Sequence, residues 1–123
     1  MSKRTKELQF STQTKQELLE RDKGCFFCQR GIHMIGSFPA DRSILDPMHI
    51  VNKSQGGLGV LQNGVIGCRW HHTLLDNSSF NQEMRGIAED YLKIHYPGWT
   101  RESVTYNKHK DLYVYRKRGS NER

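Results

Sequence analysis

Apolar positions are sparse along this chain, and their spacing changes from one segment to the next. The clearest periodic run is Phe80, Met84, Ile87, Ala88, Tyr91 and Leu92, which share one face of a helix. Ser79 with Gln82 three residues on resembles a capping box, and Pro97-Gly98 stops the run, so a helix is predicted over about 79–96. A shorter helix is predicted from Ser11 or Thr12, either of which can cap it, through Leu18 and Leu19 to Asp22, ending near Gly24. The first ten residues are polar and basic and read as a frayed arm.

Between these helices the pattern turns strand-like. Cys25-Phe26-Phe27-Cys28 is a tight turn between apolar partners, and Gly31, Gly36 and Pro39 mark loop or weak hairpin. Residues 47–51 are β-prone, with Pro47 tolerable only at a strand start or edge. Residues 52–62, with Gly56, Gly57 and Gly59, predict an extended loop; Val65 and Ile66 predict a second strand, and residues 68–76 a short helix. Residues 112–115 are again strand-like. The implied class is α+β, built on a β-loop-β-α unit of about thirty residues with helices before and after it.

Composition narrows the class. With 123 residues there is room for one domain, 1–123, and with only 35% hydrophobic residues its core is small, so a structural metal is an expected source of added stability. No run approaches the roughly 20 apolar residues that cross a bilayer, and the charged start has no apolar segment behind it, so a soluble, cytoplasmic protein without a membrane partner is expected. Three cysteines leave one thiol over in a disulfide framework but suit metal ligation completed by a histidine. The net charge of +6 and pI near 9.4 make polyanions natural partners.

The candidate metal site has two halves. Cys25 and Cys28 form a C-x-x-C pair, and after 39 intervening residues Cys68 and His71 form a second pair at the same spacing. Two such turns, each presenting two donors, are what a tetrahedral structural Zn²⁺ requires. A redox role for Cys25 and Cys28 lacks the βαβ surroundings it needs.

Within this frame lie His49, thirteen residues, Asn63, eight residues and His72. Together Met48-His49-Ile50-Val51, the glycine-rich Lys53-Ser54-Gln55-Gly56-Gly57-Leu58-Gly59, Asn63 and Cys68-Arg69-Trp70-His71-His72 resemble the HNH endonuclease family, and in particular small HNH proteins encoded by bacteriophages. The resemblance covers about 25–77. It implies a zinc-stapled ββα-metal (His-Me finger) module flanked by N- and C-terminal helices. It also implies metal-dependent hydrolysis of DNA phosphodiester bonds in a host-cell cytoplasm. His49 takes the role of general base, Asn63 that of the residue bridging the long loop to orient it, and His72 that of ligand to a catalytic divalent cation, Mg²⁺, Mn²⁺ or similar.

In the family pattern a second ligand, usually Asp or His, directly precedes the general base. Here Met48 stands there, and a thioether suits a hard cation poorly. Asp76, four residues after His72 and on the same helical face, is the preferred substitute over Asp46; the other reading has His72, water and DNA phosphate alone. His33, His95 and His109 are assigned no role. Lys53, Arg69 and the basic tail within 100–123, comprising Lys108, Lys110, Arg116, Lys117 and Arg118, are candidate phosphate contacts. No base-reading motif accompanies them, so low sequence specificity is expected, sharpened where needed by a phage or host partner. The competing function is a non-catalytic zinc-dependent DNA-binding or phage packaging module.

Overall fold

The computed structural model describes residues 2–107, so the tail residues Lys108, Lys110, Arg116, Lys117 and Arg118 and the strand expected at 112–115 lie outside it. The class is α+β, with one two-stranded sheet and helices around it. Strand β1 (Leu45–His49) runs antiparallel to β2 (Gly64–Cys68), pairing Leu45 with Cys68 and His49 with Gly64. The first strand therefore starts and ends two residues before the expected 47–51. Pro47 sits inside it, opposite Ile66, because in a two-stranded sheet each strand keeps one open edge where a missing N–H is harmless.

Helix α1 spans Lys3–Leu8, α2 Thr12–Asp22 and α3 Pro39–Arg42; α4 spans Arg69–Asn77 and α5 Asn81–His95. Ser11 caps α2, its hydroxyl accepting from the Thr14 N–H at 3.0 Å. At its other end α2 docks on β2 through an ion pair. Asp22 accepts from the Ile66 N–H at 2.8 Å, while Arg21 donates to the Gly64 and Leu61 carbonyls at 2.6 and 2.9 Å. Helix α4 starts directly from β2 and folds back on both strands, and α5 packs on α4.

The core between these layers contains Phe26, Phe27, Met48, Ile50, Leu58, Leu75, Met84 and Leu92, all at most 2% exposed. Full burial of a side chain such as Leu, Ile or Phe contributes about 1.5–3 kcal/mol. The apolar face of α5 that the sequence marks is turned to this core through Met84, Ala88 and Leu92.

Two further local expectations change. Residues 2–10 are an ordered segment and not a frayed arm: Ser2 caps α1, and Leu8 is buried in the core. The Glu7 carbonyl accepts from the Gly59 N–H at 2.9 Å. The Ser79 capping box does not form. Ser78 ends α4 by donating to the Leu74 carbonyl at 2.7 Å and accepts from the Phe80 N–H at 3.1 Å, and α5 begins at Asn81 without a side-chain cap. With only three residues between the helices, the hydroxyl nearest α4 takes both tasks. No helix among the described residues is long and apolar enough to cross a membrane.

Candidate metal centre and adjoining cleft

The turn at 25–28 and the β2–α4 junction bring Cys25, Cys28, Cys68 and His71 together, with one donor atom from each within 4.8 Å of all the others. The His71 Nδ1 lies 3.4, 3.5 and 3.3 Å from the sulfurs of Cys25, Cys28 and Cys68, and the Cys28 and Cys68 sulfurs are 3.7 Å apart. Bond lengths of about 2.3 Å to sulfur and 2.0–2.1 Å to nitrogen around a tetrahedral ion give edges of about 3.8 Å between sulfurs and about 3.6 Å from nitrogen to sulfur. The observed edges therefore match a tetrahedron of zinc size.

Two further features fit a cation there. The His71 Nε2 donates to the Ile32 carbonyl at 2.5 Å, which leaves the neutral ring's lone pair on Nδ1, facing the sulfurs. The backbone N–H groups of Cys28 and His71 point at the sulfurs of Cys25 and Cys68, at 3.3 and 3.5 Å, a polarity suited to thiolates. Without a cation, burial, then the neighbouring Cys25, push the Cys28 thiol up to about 12. A divalent ion reverses that preference. The cluster is thus compatible with a structural zinc that ties the chain before β1 to the start of α4.

Beside this centre a cleft of about 520 Å³ opens between the end of β1, the following loop, α4 and α5. Its walls include His49, Lys53, His72, Asp76 and Arg85. His49, at the last position of β1, donates from Nε2 to the Leu8 carbonyl at 2.6 Å, and its ring packs against Phe10 with centroids 4.2 Å apart. A carbonyl only accepts, so a neutral His49 carries its lone pair on Nδ1.

Asn63 is fully buried and does not enter the cleft. Its side chain accepts from the Val51 N–H at 2.8 Å and donates to the Val51 and Leu58 carbonyls at 3.1 and 2.9 Å. Its own carbonyl accepts from the Ile50 N–H at 3.0 Å. It fastens both sides of the 52–62 loop to the chain immediately after His49, and Gly57 is needed there because a Cβ would collide with the Val51 carbonyl.

His72 lies between two carboxylates. Asp46 is 3.2 Å from its Nδ1 and Asp76 3.3 Å from its Nε2. Because these are opposite nitrogens of one ring, a cation on His72 in this arrangement would take one carboxylate and not both. Met48, only 1% exposed, points into the core, where its thioether fills the space a Cβ on Gly67 would occupy. Asp46 is two residues earlier, on the same face of the strand, and reaches α4 from there. Lys53 is exposed on the cleft rim, and Arg69, also exposed, is 3.2 Å from Asp46.

Three groups here have no sequence signal of their own. Arg85, projecting from α5, donates to the His49 and Ile50 carbonyls at 3.2 and 2.5 Å and to the Asn52 side chain at 2.8 Å, and lies 3.9 Å from Asp76. Burial lowers its pKa while Asp76 raises it. Arginine on a polar helix face reads as solvated, and only the fold reveals what it meets. The Leu8 carbonyl and Phe10 come from the segment that reads as an arm.

Comparison of the chain with protein-family models, with curated proteins and with solved structures finds no significant match in any of the three.

Proposed function

We propose that the chain is a metal-dependent DNA endonuclease of the HNH type, held together by a structural zinc at Cys25, Cys28, Cys68 and His71. The observation that carries the reading is the cleft that His49, His72, Asp76 and Lys53 share beside that cluster. The Nδ1 of His49 takes a proton from water, and the hydroxide formed attacks the phosphorus of a DNA phosphodiester as the bond to the leaving 3′ oxygen breaks. His72, with Asp46 or Asp76, would hold a divalent cation, which when bound supplies Lewis acidity at the phosphate and the leaving oxygen. Lys53 and Arg69 add positive charge near the phosphate path. Asn63 and Arg85 act through the backbone, fixing the chain from His49 to Asn52 without touching substrate.

The reading is tested by converting supercoiled plasmid to nicked or linear form with Mg²⁺ or Mn²⁺. His49→Ala is expected to lower the single-turnover rate at least about a hundredfold, with zinc content and DNA affinity unchanged. Cleavage by His49→Ala at the wild-type rate, or no cleavage by the wild type with either cation, would overturn it.

A further inference from the structure

The N-terminal segment carries none of the residues to which chemistry is assigned above, yet it is fitted closely around one of them. Leu8, 3% exposed, anchors it in the core. The Gly59 N–H bonds the Glu7 carbonyl, and Gly59 itself has no room for a Cβ, because the backbone of Gln9 occupies that space. A Cβ on Gly64 would likewise meet the Phe10 ring at 2.8 Å. Two glycines from the β1–β2 connection and from β2 thus admit the segment at van der Waals distance. What it delivers there is the Leu8 carbonyl at 2.6 Å from the His49 Nε2 and the Phe10 ring 4.2 Å from the imidazole, tilted by 36°.

From this we infer that residues 2–10 are a positioning element for His49: the Leu8 carbonyl fixes which ring nitrogen carries the proton, and Phe10 fixes the plane of the ring. A bonded imidazole N–H cannot exchange its place with the basic nitrogen without breaking that bond, and a ring packed on one side cannot swing out of the cleft. The segment acts by holding Nδ1 in one orientation. It does not touch the phosphodiester. The inference builds on the nuclease reading for its consequence, but the hold on His49 is measurable without any cleavage.

The test uses the full chain and two variants outside the groups assigned to chemistry. Gly59→Ala pushes the Gln9 backbone away, and Phe10→Ala removes the packing ring while leaving the Gly59 contact intact. Gly86→Ala, where a Cβ meets nothing within 4 Å, is the control. Proton–nitrogen NMR of the histidine side chains, with the His49 signal assigned by its loss in His49→Gln, should show a bonded Nε2–H in the wild type and in Gly86→Ala. In Gly59→Ala and Phe10→Ala that signal should be lost to solvent exchange.

The single-turnover cleavage rate at saturating DNA should fall about tenfold or more in both variants, the size typical of losing a partner that orients a histidine. DNA affinity and zinc content should stay within twofold of the control, and Phe10→Leu, which restores an apolar wall, should recover most of the rate. A His49 Nε2–H signal that persists in both variants overturns the inference, and so does a rate loss that comes only with lost zinc or lost DNA binding. If the wild type cleaves nothing, the nuclease reading fails and the NMR comparison alone still decides whether residues 2–10 hold His49.

Discussion

Met48 and Asp46 occupy the same face of one strand, but only Asp46 meets His72, because the Met48 side chain is spent on the core opposite Gly67. Met48→Leu conserves volume and should cost less than about 1.5 kcal/mol, with the cation requirement for cleavage unchanged. If His72 holds the cation as proposed, one of Asp46→Asn and Asp76→Asn should raise the Mn²⁺ concentration for half-maximal cleavage about tenfold or more, and the variant that does so identifies the partner carboxylate. Asn63 makes a different kind of contribution. Replacing it by Ala leaves the Val51 N–H and two buried carbonyls without partners, so a loss of about 2–4 kcal/mol is expected in urea unfolding, with zinc retained. These differences mark what is legible residue by residue. The spacing of Cys25, Cys28, Cys68 and His71 is readable because each pair is local and its chemistry needs those side chains. The Leu8 carbonyl is not, because every residue has one and only the fold selects which is used.

At the level of elements, patterns that depend on repeated side chains are visible, and those that depend on one contact are not. Helix α5 shows three buried positions at helical spacing, and α2 follows a serine that does cap it. Helix α1 offers a single buried residue, Leu8, among charged neighbours, so no periodicity announces it. The start of α5 misleads for the opposite reason: Ser79 and Gln82 have the right spacing, but Ser78 is closer to the end of α4 and makes the bonds. Strand β1 begins before the β-prone run because its pairing with β2 extends to Leu45 and Cys68, and pairing, not propensity, sets its ends. The α2–β2 junction gives a test at this scale. Asp22→Ala strands the Ile66 N–H inside the protein and leaves Arg21 with its ion-pair partner gone, so stability should fall by about 2–4 kcal/mol. The measurement is denaturant unfolding, and a loss below about 0.5 kcal/mol would show that this junction does not hold the helix to the sheet.

For the whole molecule, a zinc at the compatible cluster would act on stability, while the net charge of +6 bears on the proposed binding of DNA. Structural zinc supplies on the order of 10 kcal/mol or more to a small domain, comparable to its entire net stability. Cys68→Ser, at a fully buried ligand position, should therefore release zinc and unfold the β1–β2–α4 unit, measured by elemental analysis and circular dichroism. Purified wild-type protein that contains no zinc and is folded with reactive thiols would remove the site. If the chain binds DNA as proposed, its charge works through phosphate contacts, each of which contributes roughly 0.9 to the slope of log affinity against log salt. Lys53 lines the cleft and Arg69 the adjoining depression beside Asp46, His72 and Asp76, whereas Arg116, Lys117 and Arg118 lie outside the described residues, so the two groups are separable by experiment. If the tail follows the DNA backbone, replacing Arg116, Lys117 and Arg118 by Ala should weaken binding to unrelated sequences alike and flatten the slope by up to about 2.7. The single-turnover rate at saturating DNA should change less than about twofold, because His49 and the groups around it are untouched. An unchanged slope would assign DNA binding to the cleft and its own cations, and a collapsed rate at saturation would mean that the tail also shapes the site around His49.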